Sequence, residues 1–224
     1  MDNLISINLI TTVLYVAAFV YGLCTLFKKR SPLYFRLLVF GVGCFLLEDI
    51  YYLVDYICSG VWSTTFSFAS FGAGGCYAFM FSANYGLFDG LVDDGGADAL
   101  RCRKIGFIAP AVLLIILANG EYAWILGGGG FASGFLMILS KLFAFPAAYY
   151  HLKHLIMKDE LDYLLTAIRP CNAIALCVIL FDFLSDSLYS AGMNSAGAVT
   201  AMLLPLSLCG MMIAANKGVQ KWMM

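Results

Sequence analysis

Seven apolar runs follow one another along the chain, parted by short polar or glycine-rich stretches: 4–27, 34–57, 62–88, 105–125, 131–152, 169–189 and 198–216. Each approaches the ~20 residues that carry a helix across ~30 Å of hydrocarbon. Between the first two runs, Lys28-Lys29-Arg30 and the helix-breaking Ser31-Pro32 mark an end and a new start. Cys58-Ser59-Gly60 turns the chain after the second. The third contains Gly72, Ala73, Gly74 and Gly75, small residues that let helices approach closely. A polar loop is expected over 89–104. The fourth run is expected to be interrupted near Asn119-Gly120-Glu121, and Gly127 to Gly130 form a flexible turn before the fifth. The segment Met157–Leu165 suits an amphipathic extension of the fifth or sixth run. The predicted fold is all-α and integral to the membrane: one domain over 1–224, a seven-transmembrane-helix bundle.

Composition agrees with this pattern. Of 224 residues, 62% are hydrophobic and only 12% charged, with a mean hydropathy of +0.88. A soluble domain is nearer half apolar and a quarter charged. A net charge of −1 gives no basis for nucleic-acid binding. The eight cysteines lie scattered in apolar runs without metal-like spacing, and read as small packing residues. No cofactor is implied. The flank MDNL lacks the basic region of a signal peptide, so the first run is expected to be retained.

Basic residues set the expected orientation. Lys28, Lys29, Arg30 and Arg36 lie between runs one and two, and Arg101, Arg103 and Lys104 between three and four. Lys153, Lys158 and Arg169 lie between five and six, and Lys217 and Lys221 follow seven. Twelve of the thirteen basic residues thus fall on one side. The positive-inside rule places the N-terminus outside and the C-terminus in the cytoplasm of a multi-pass cell-membrane protein. The thirteenth, Lys141, falls in the middle of the fifth run.

Charge inside the apolar runs is where function is sought. Asp182 and Asp186 stand four apart in IALCVILFDFLSDSLYS, so they project from one helix face. A carboxylate at mid-membrane costs about 2.5–3.5 kcal/mol even on lenient scales, and is tolerated facing protein or water. Glu48 and Asp49 fall just past the middle of the second run, at the depth of Lys141 and Asp182. Tyr51 and Tyr52 can add hydroxyls there, and Asp55 lies nearer the outer mouth. One lysine cannot neutralise four acids, so some are protonated or wet. Two readings stay open: a polar cavity on the outer side that binds a small or lipid-like molecule, or a structural Lys141–carboxylate bridge.

Other polar groups carry less. His151 and His154, three apart, have metal-compatible spacing but no evident further ligand, and are expected at the membrane interface; no metal site is assigned. Asp89, Asp93, Asp94 and Asp98 are expected in a solvated loop. That loop lacks the Asp-Gly-x-x-Ala-Arg run of phosphotransferases that use cytidine-diphosphate alcohols. The seventh run has no mid-membrane lysine for retinal.

ILFDFLSDSLYS, Ile179 to Ser190, resembles the LFxxSDxxLA signature of the lysoplasmalogenase family, polytopic enzymes that hydrolyse the vinyl-ether bond of lysoplasmalogens. GVGCFLLEDIYYL, Gly41 to Leu53, is similar to that family's GLxFSxxGDxxL helix, with Glu48 standing where the family has glycine. The resemblance implies catalytic roles for Asp49 and Asp186, one protonating the ether side and one activating water. Glu48, Tyr52, Lys141 and Asp182 would bind or tune around them. The alternative is a seven-helix ligand sensor or a small proton- or cation-coupled transporter using the same acids. Pro110, Pro146 and Pro205 could each kink a helix. Membrane lipid and a small-molecule or lipid ligand are the expected partners; association with a second copy or another subunit stays open.

Overall fold

The computed structural model describes residues 2–28, 31–60, 66–158 and 162–222. The expected basic cluster at Lys29 and Arg30, the expected start of the third run at Trp62, and 159–161 of the expected amphipathic extension lie outside the described residues. What is described is all-helical: α1 (Asp2–Lys28), α2 (Leu33–Ser59), α3 (Phe71–Asn84), α4 (Ala97–Gly106), α5 (Ile108–Leu126), α6 (Phe131–Ser140), α7 (Ala144–Ile156), α8 (Asp162–Ser190) and α9 (Asn194–Trp222). Five helical stretches are long and apolar enough to cross a membrane: Ile7–Phe27, Leu33–Ser59, Phe131–Ile156, Tyr163–Ser190 and Asn194–Trp222. Large side chains such as Leu47, Leu114, Ile115 and Val199 point outward, each more than half exposed. In water such a surface would aggregate; in lipid it is the natural exterior.

Chemistry at the ends explains the helix boundaries. Pro32 precedes α2, and Gly60, at φ 70°, turns its C-terminus with its N–H on the Tyr56 carbonyl. Pro110 lies three residues past the joint at Phe107 that divides α4 from α5. Pro146 has the stronger effect. It cannot donate to the Leu142 carbonyl, and the chain leaves α-helix between Ser140 and Ala144. The Lys141 and Leu142 amides there reach Ile138 and Leu139 instead, at 3.1 and 3.3 Å. The fifth apolar run is therefore two helices with a joint at Lys141. By contrast, the interruption expected at Asn119-Gly120 is absent. Asn119 turns its amide back to the Ile115 carbonyl (2.8 Å), and Gly120 lets α5 press against Ser187 of α8, so the helix continues.

Packing is centred on α8, against which α7 and α9 run antiparallel. Helix α9 runs along it, α5 and α7 pack on its other sides, and α1 bridges α9 and α2. Helix α3 lies between α2 and α7. Its glycines permit the approach: a β-carbon at Gly72 would strike the Cys44 carbonyl, and one at Gly74 the Ser140 carbonyl at the helix joint. The core, around Leu38, Val42, Phe45, Met80, Ile179 and Leu208, is fully enclosed.

One end of the bundle carries the acids expected in a solvated loop; Asp94 and Asp98 are exposed as expected, but Asp89 and Asp93 are drawn into ion pairs. Asp93, 4% exposed, accepts two hydrogen bonds from Arg103 (2.7 Å each) and a further one from Lys153. Lys153 also bridges to Asp89, and His154 Nε2 approaches Asp89 at 3.2 Å. The histidines are enclosed as well: His151 and His154 are completely buried, held by Asn84 and, for His151, Asn172. Helix α7 brings its polar face inward between α3 and α8, which the linear spacing did not disclose. Gly95, at φ 75°, makes the tight turn that returns α4 toward Asp93.

Hydrogen bonds from Arg103 hold the Asp93 carboxyl well below the usual carboxylate range, with Lys153 adding to the effect and burial opposing it. A depressed folded-state pKa gives stability present above the unfolded value, ~3.9, and lost as pH falls through the folded one. Asp93→Asn should therefore lower the thermal midpoint in detergent at neutral pH, with the gap to the parent closing as pH drops below ~4. A gap that ignores pH would show that the Asp93 charge is not what braces this end.

Candidate functional site

Toward the opposite end, α2, α5, α6 and α8 diverge around a cavity of about 850 Å³. That is ample for a small molecule or a lipid headgroup. Its wall includes Glu48, Asp49 and Tyr52 from α2, Lys141 from the joint, and Asp182 and Asp186 from α8. The structure thus brings the six residues singled out in the sequence to one space. Tyr51 is not there; it faces outward, half exposed, with its ring edge against Tyr52. Asp55 lies outside the wall. Residues 127–129, Ser190 and Asn194 line it too, which puts the mouth at the end away from Lys153 and Arg103.

Lys141 organises the floor. It is 5% exposed, and its Nζ donates to Asp182 Oδ2 and Asp186 Oδ2, each at 2.6 Å. The aspartates receive it together because four residues put them on one face of α8. They are otherwise unlike. The Asp182 side chain is 13% exposed and also accepts from Tyr77 Oη at 2.5 Å; Asp186 is 46% exposed and opens to the cavity. Phe183 lies beneath the lysine, its ring centre 5.5 Å from Nζ. Asp49 accepts a hydrogen bond from Thr12 of α1. Tyr52 Oη is bound to Ser70 Oγ at 2.8 Å. Glu48 Oε2 is buried with no hydrogen-bond partner among the described residues.

Four wall or support residues escaped the sequence reading. Glu121 and Trp124 of α5 line the cavity; Tyr77 and Thr12 hold its acids. Glu121 had a signal, as an acid in an apolar run, but it was assigned to an interruption. Tyr77 and Thr12 had none, since their partners lie 105 and 37 residues away. About one turn toward the Lys153 end from Glu48, Tyr77 and Asp182 stand Phe45, Met80 and Ile179, all buried. This apolar layer separates the cavity from the second polar cluster. Among the described residues no three histidine, cysteine or acidic side chains converge as a metal-ligand set.

The Lys141–Asp182 contact is a buried ion pair, so removing the lysine leaves a carboxylate without its cation. Lys141→Met should lower unfolding free energy by about 3–5 kcal/mol. Adding Asp182→Asn to it should restore much of the loss, a coupling that a double-mutant cycle in detergent measures. Additive single effects would contradict the pairing.

Comparison with protein-family models, with curated proteins and with solved structures finds no match to this chain.

Proposed function

We propose that the chain is a carrier of the cell membrane: seven spans, N-terminus outside and C-terminus in the cytoplasm, taking a small or lipid-like molecule into the acidic cavity from the outer side. The two passes beyond the five membrane-length helical stretches are the third, centred on α3, and α5. The observation that carries this reading is the helix joint at Lys141, set in the wall of that cavity. Backbone that leaves the helix at membrane depth is tolerated where it faces protein or water, and discontinuous helices of this kind recur at carrier binding sites. The flanking features fit a cycle of alternating access. The cavity opens at one end, while Phe45, Met80 and Ile179 and the Lys153–Asp89–Asp93–Arg103 bridges close the other. Acids in excess of cations supply groups that can exchange a proton for a solute.

A second reading rests on the unlike surroundings of Asp49 and Asp186. One accepts from a hydroxyl and the other is held by an ammonium, in the same cavity. A hydrolase of vinyl-ether lysolipids, the family that the two aspartate motifs resemble, needs such a division between acid and base.

Orientation is tested by cysteines introduced at Ser59, Gly128 and Ser195, which should react with an impermeant thiol reagent on sealed cells, whereas one at Asp94 should not. Labelling at Asp94 would reverse the bundle. The mode of action is tested in proteoliposomes carrying an internal pH dye. Solutes from a metabolite panel should produce proton movement that Asp182→Asn and Asp186→Asn abolish. Cleavage of vinyl-ether lysophospholipid by the parent, falling about 10²–10⁴-fold in Asp49→Asn or Asp186→Asn, would instead establish the hydrolase.

A further inference from the structure

Resting on the cavity reading above, we infer that the cavity takes an organic cation: an ammonium group attached to an apolar or aromatic body. Charge balance is the first ground. Five carboxylates line the wall, those of Glu48, Asp49, Glu121, Asp182 and Asp186, and Lys141 is the wall's one cation among the described residues. Lys141 is committed to Asp182 and Asp186. No described lysine, arginine or histidine is within ion-pair distance of Glu48, Asp49 or Glu121, so the cavity holds a standing excess of acid.

The second ground is an orphaned acceptor. The Ala73 backbone interacts with the Glu48 carboxyl, but Glu48 Oε2 is buried in the wall with no hydrogen-bond partner among the described residues, and an unpaired buried carboxylate oxygen is among the costlier groups a protein carries. Asp186 is the electrostatic neighbour of both Glu48 and Glu121, and nearly half of its side chain is open. An ammonium seated between Glu48 and Glu121, against the open face of Asp186, would meet three carboxylates and complete the orphan's hydrogen bonding.

The remaining wall sets the class of cation. Among the described residues no three acidic ligands draw together tightly enough for a metal ion. About 850 Å³ is far more than a bare ion occupies. Trp124, Tyr52, Phe183 and Tyr189 provide aromatic surface for an apolar body, with faces that attract cationic charge. A carboxylate or phosphate ligand would find its one complementary cation already shared by two aspartates. The ammonium can belong to a free amine or to a lipid headgroup, and the seat reads the same chemistry in either.

The experiment uses the purified full-length protein in detergent, with tryptophan fluorescence, to which Trp124 in the wall contributes, and thermal midpoint as readouts. Phenethylamine, neutral 2-phenylethanol and anionic 3-phenylpropanoate share a body and differ in charge. Lysophosphatidylethanolamine and lysophosphatidylglycerol form the headgroup arm, with Mg²⁺ and K⁺ as bare ions. Saturable binding of phenethylamine is expected, and little of its neutral and anionic analogues. Glu48→Gln and Glu121→Gln should each weaken it by about 10- to 100-fold, while Asp55→Asn, outside the wall, should not. Phenethylamine bound without the ethanolamine lipid indicates a free amine; the lipid bound better indicates a headgroup. Preference for the neutral or anionic probe, still sensitive to the cavity variants, would overturn the cation assignment and leave the cavity as a binding site. So would a response to Mg²⁺ alone, or amine binding indifferent to Glu48 and Glu121. Amine binding without transport would retain the assignment and reject the carrier.

Discussion

Lys141 Nζ lies 2.6 Å from a carboxylate oxygen of Asp182 and 2.6 Å from one of Asp186, inside a chain that is 62% hydrophobic. Lys141 and Asp182, taken from water, would be prohibitive singly, whereas Asp186 keeps an open face. Together they compel α6, α7 and α8 to keep one relative depth and rotation, because a slip of a single turn would leave each without its counter-ion. Tyr77 extends the constraint to α3 through Asp182, and the wall continues to Glu48 and Asp49 on α2. The register of the cavity half of the bundle is thus fixed by polarity more than by apolar packing, which slides more freely among surfaces as smooth as leucine and alanine.

The joint at Lys141 follows from two independent pressures. Pro146 deprives Leu142 of its helical partner, and Gly74 admits α3 against the Ser140 carbonyl. Backbone carbonyls and a lysine ammonium are concentrated where a continuous helix would show lipid only side chains. A helix broken here costs hydrogen bonds, and protein and cavity must satisfy what lipid cannot.

Two polar clusters of opposite character share the bundle. The one at Lys153 is nearly balanced: Lys153 and Arg103 meet Asp89 and Asp93, and buried amides hold both histidines. Such a cluster is complete in itself and braces its end of the bundle. The one around Lys141 is unbalanced, open and partly unsatisfied, with Asp186 exposed to the cavity and Glu48 Oε2 unpaired. Groups left incomplete in a fold are where an external molecule can complete them. The buried layer of Phe45, Met80 and Ile179 keeps these two environments apart.

The sequence alone determined the solvent in which this protein folds, the ends of α1 and α2, and the face shared by Asp182 and Asp186. Hydropathy, proline and glycine positions, and helical periodicity act within one segment, so they can be read from it. It also pointed to Glu48, Asp49, Tyr52 and Lys141, because charged and polar groups in apolar runs have few tolerable places. Tertiary structure decided the rest. It buried Asp93 and His154 where local polarity suggested water, carried α5 straight through Asn119-Gly120, and turned Tyr51 outward while Tyr52 faced in. It recruited Glu121, Trp124, Tyr77 and Thr12 to a site whose members come from seven helices and the Lys141 joint. A helix's own sequence fixes the angles between its side chains. Its rotation and depth among its neighbours depend on contacts such as Tyr77–Asp182, between residues 105 positions apart, which no single segment encodes.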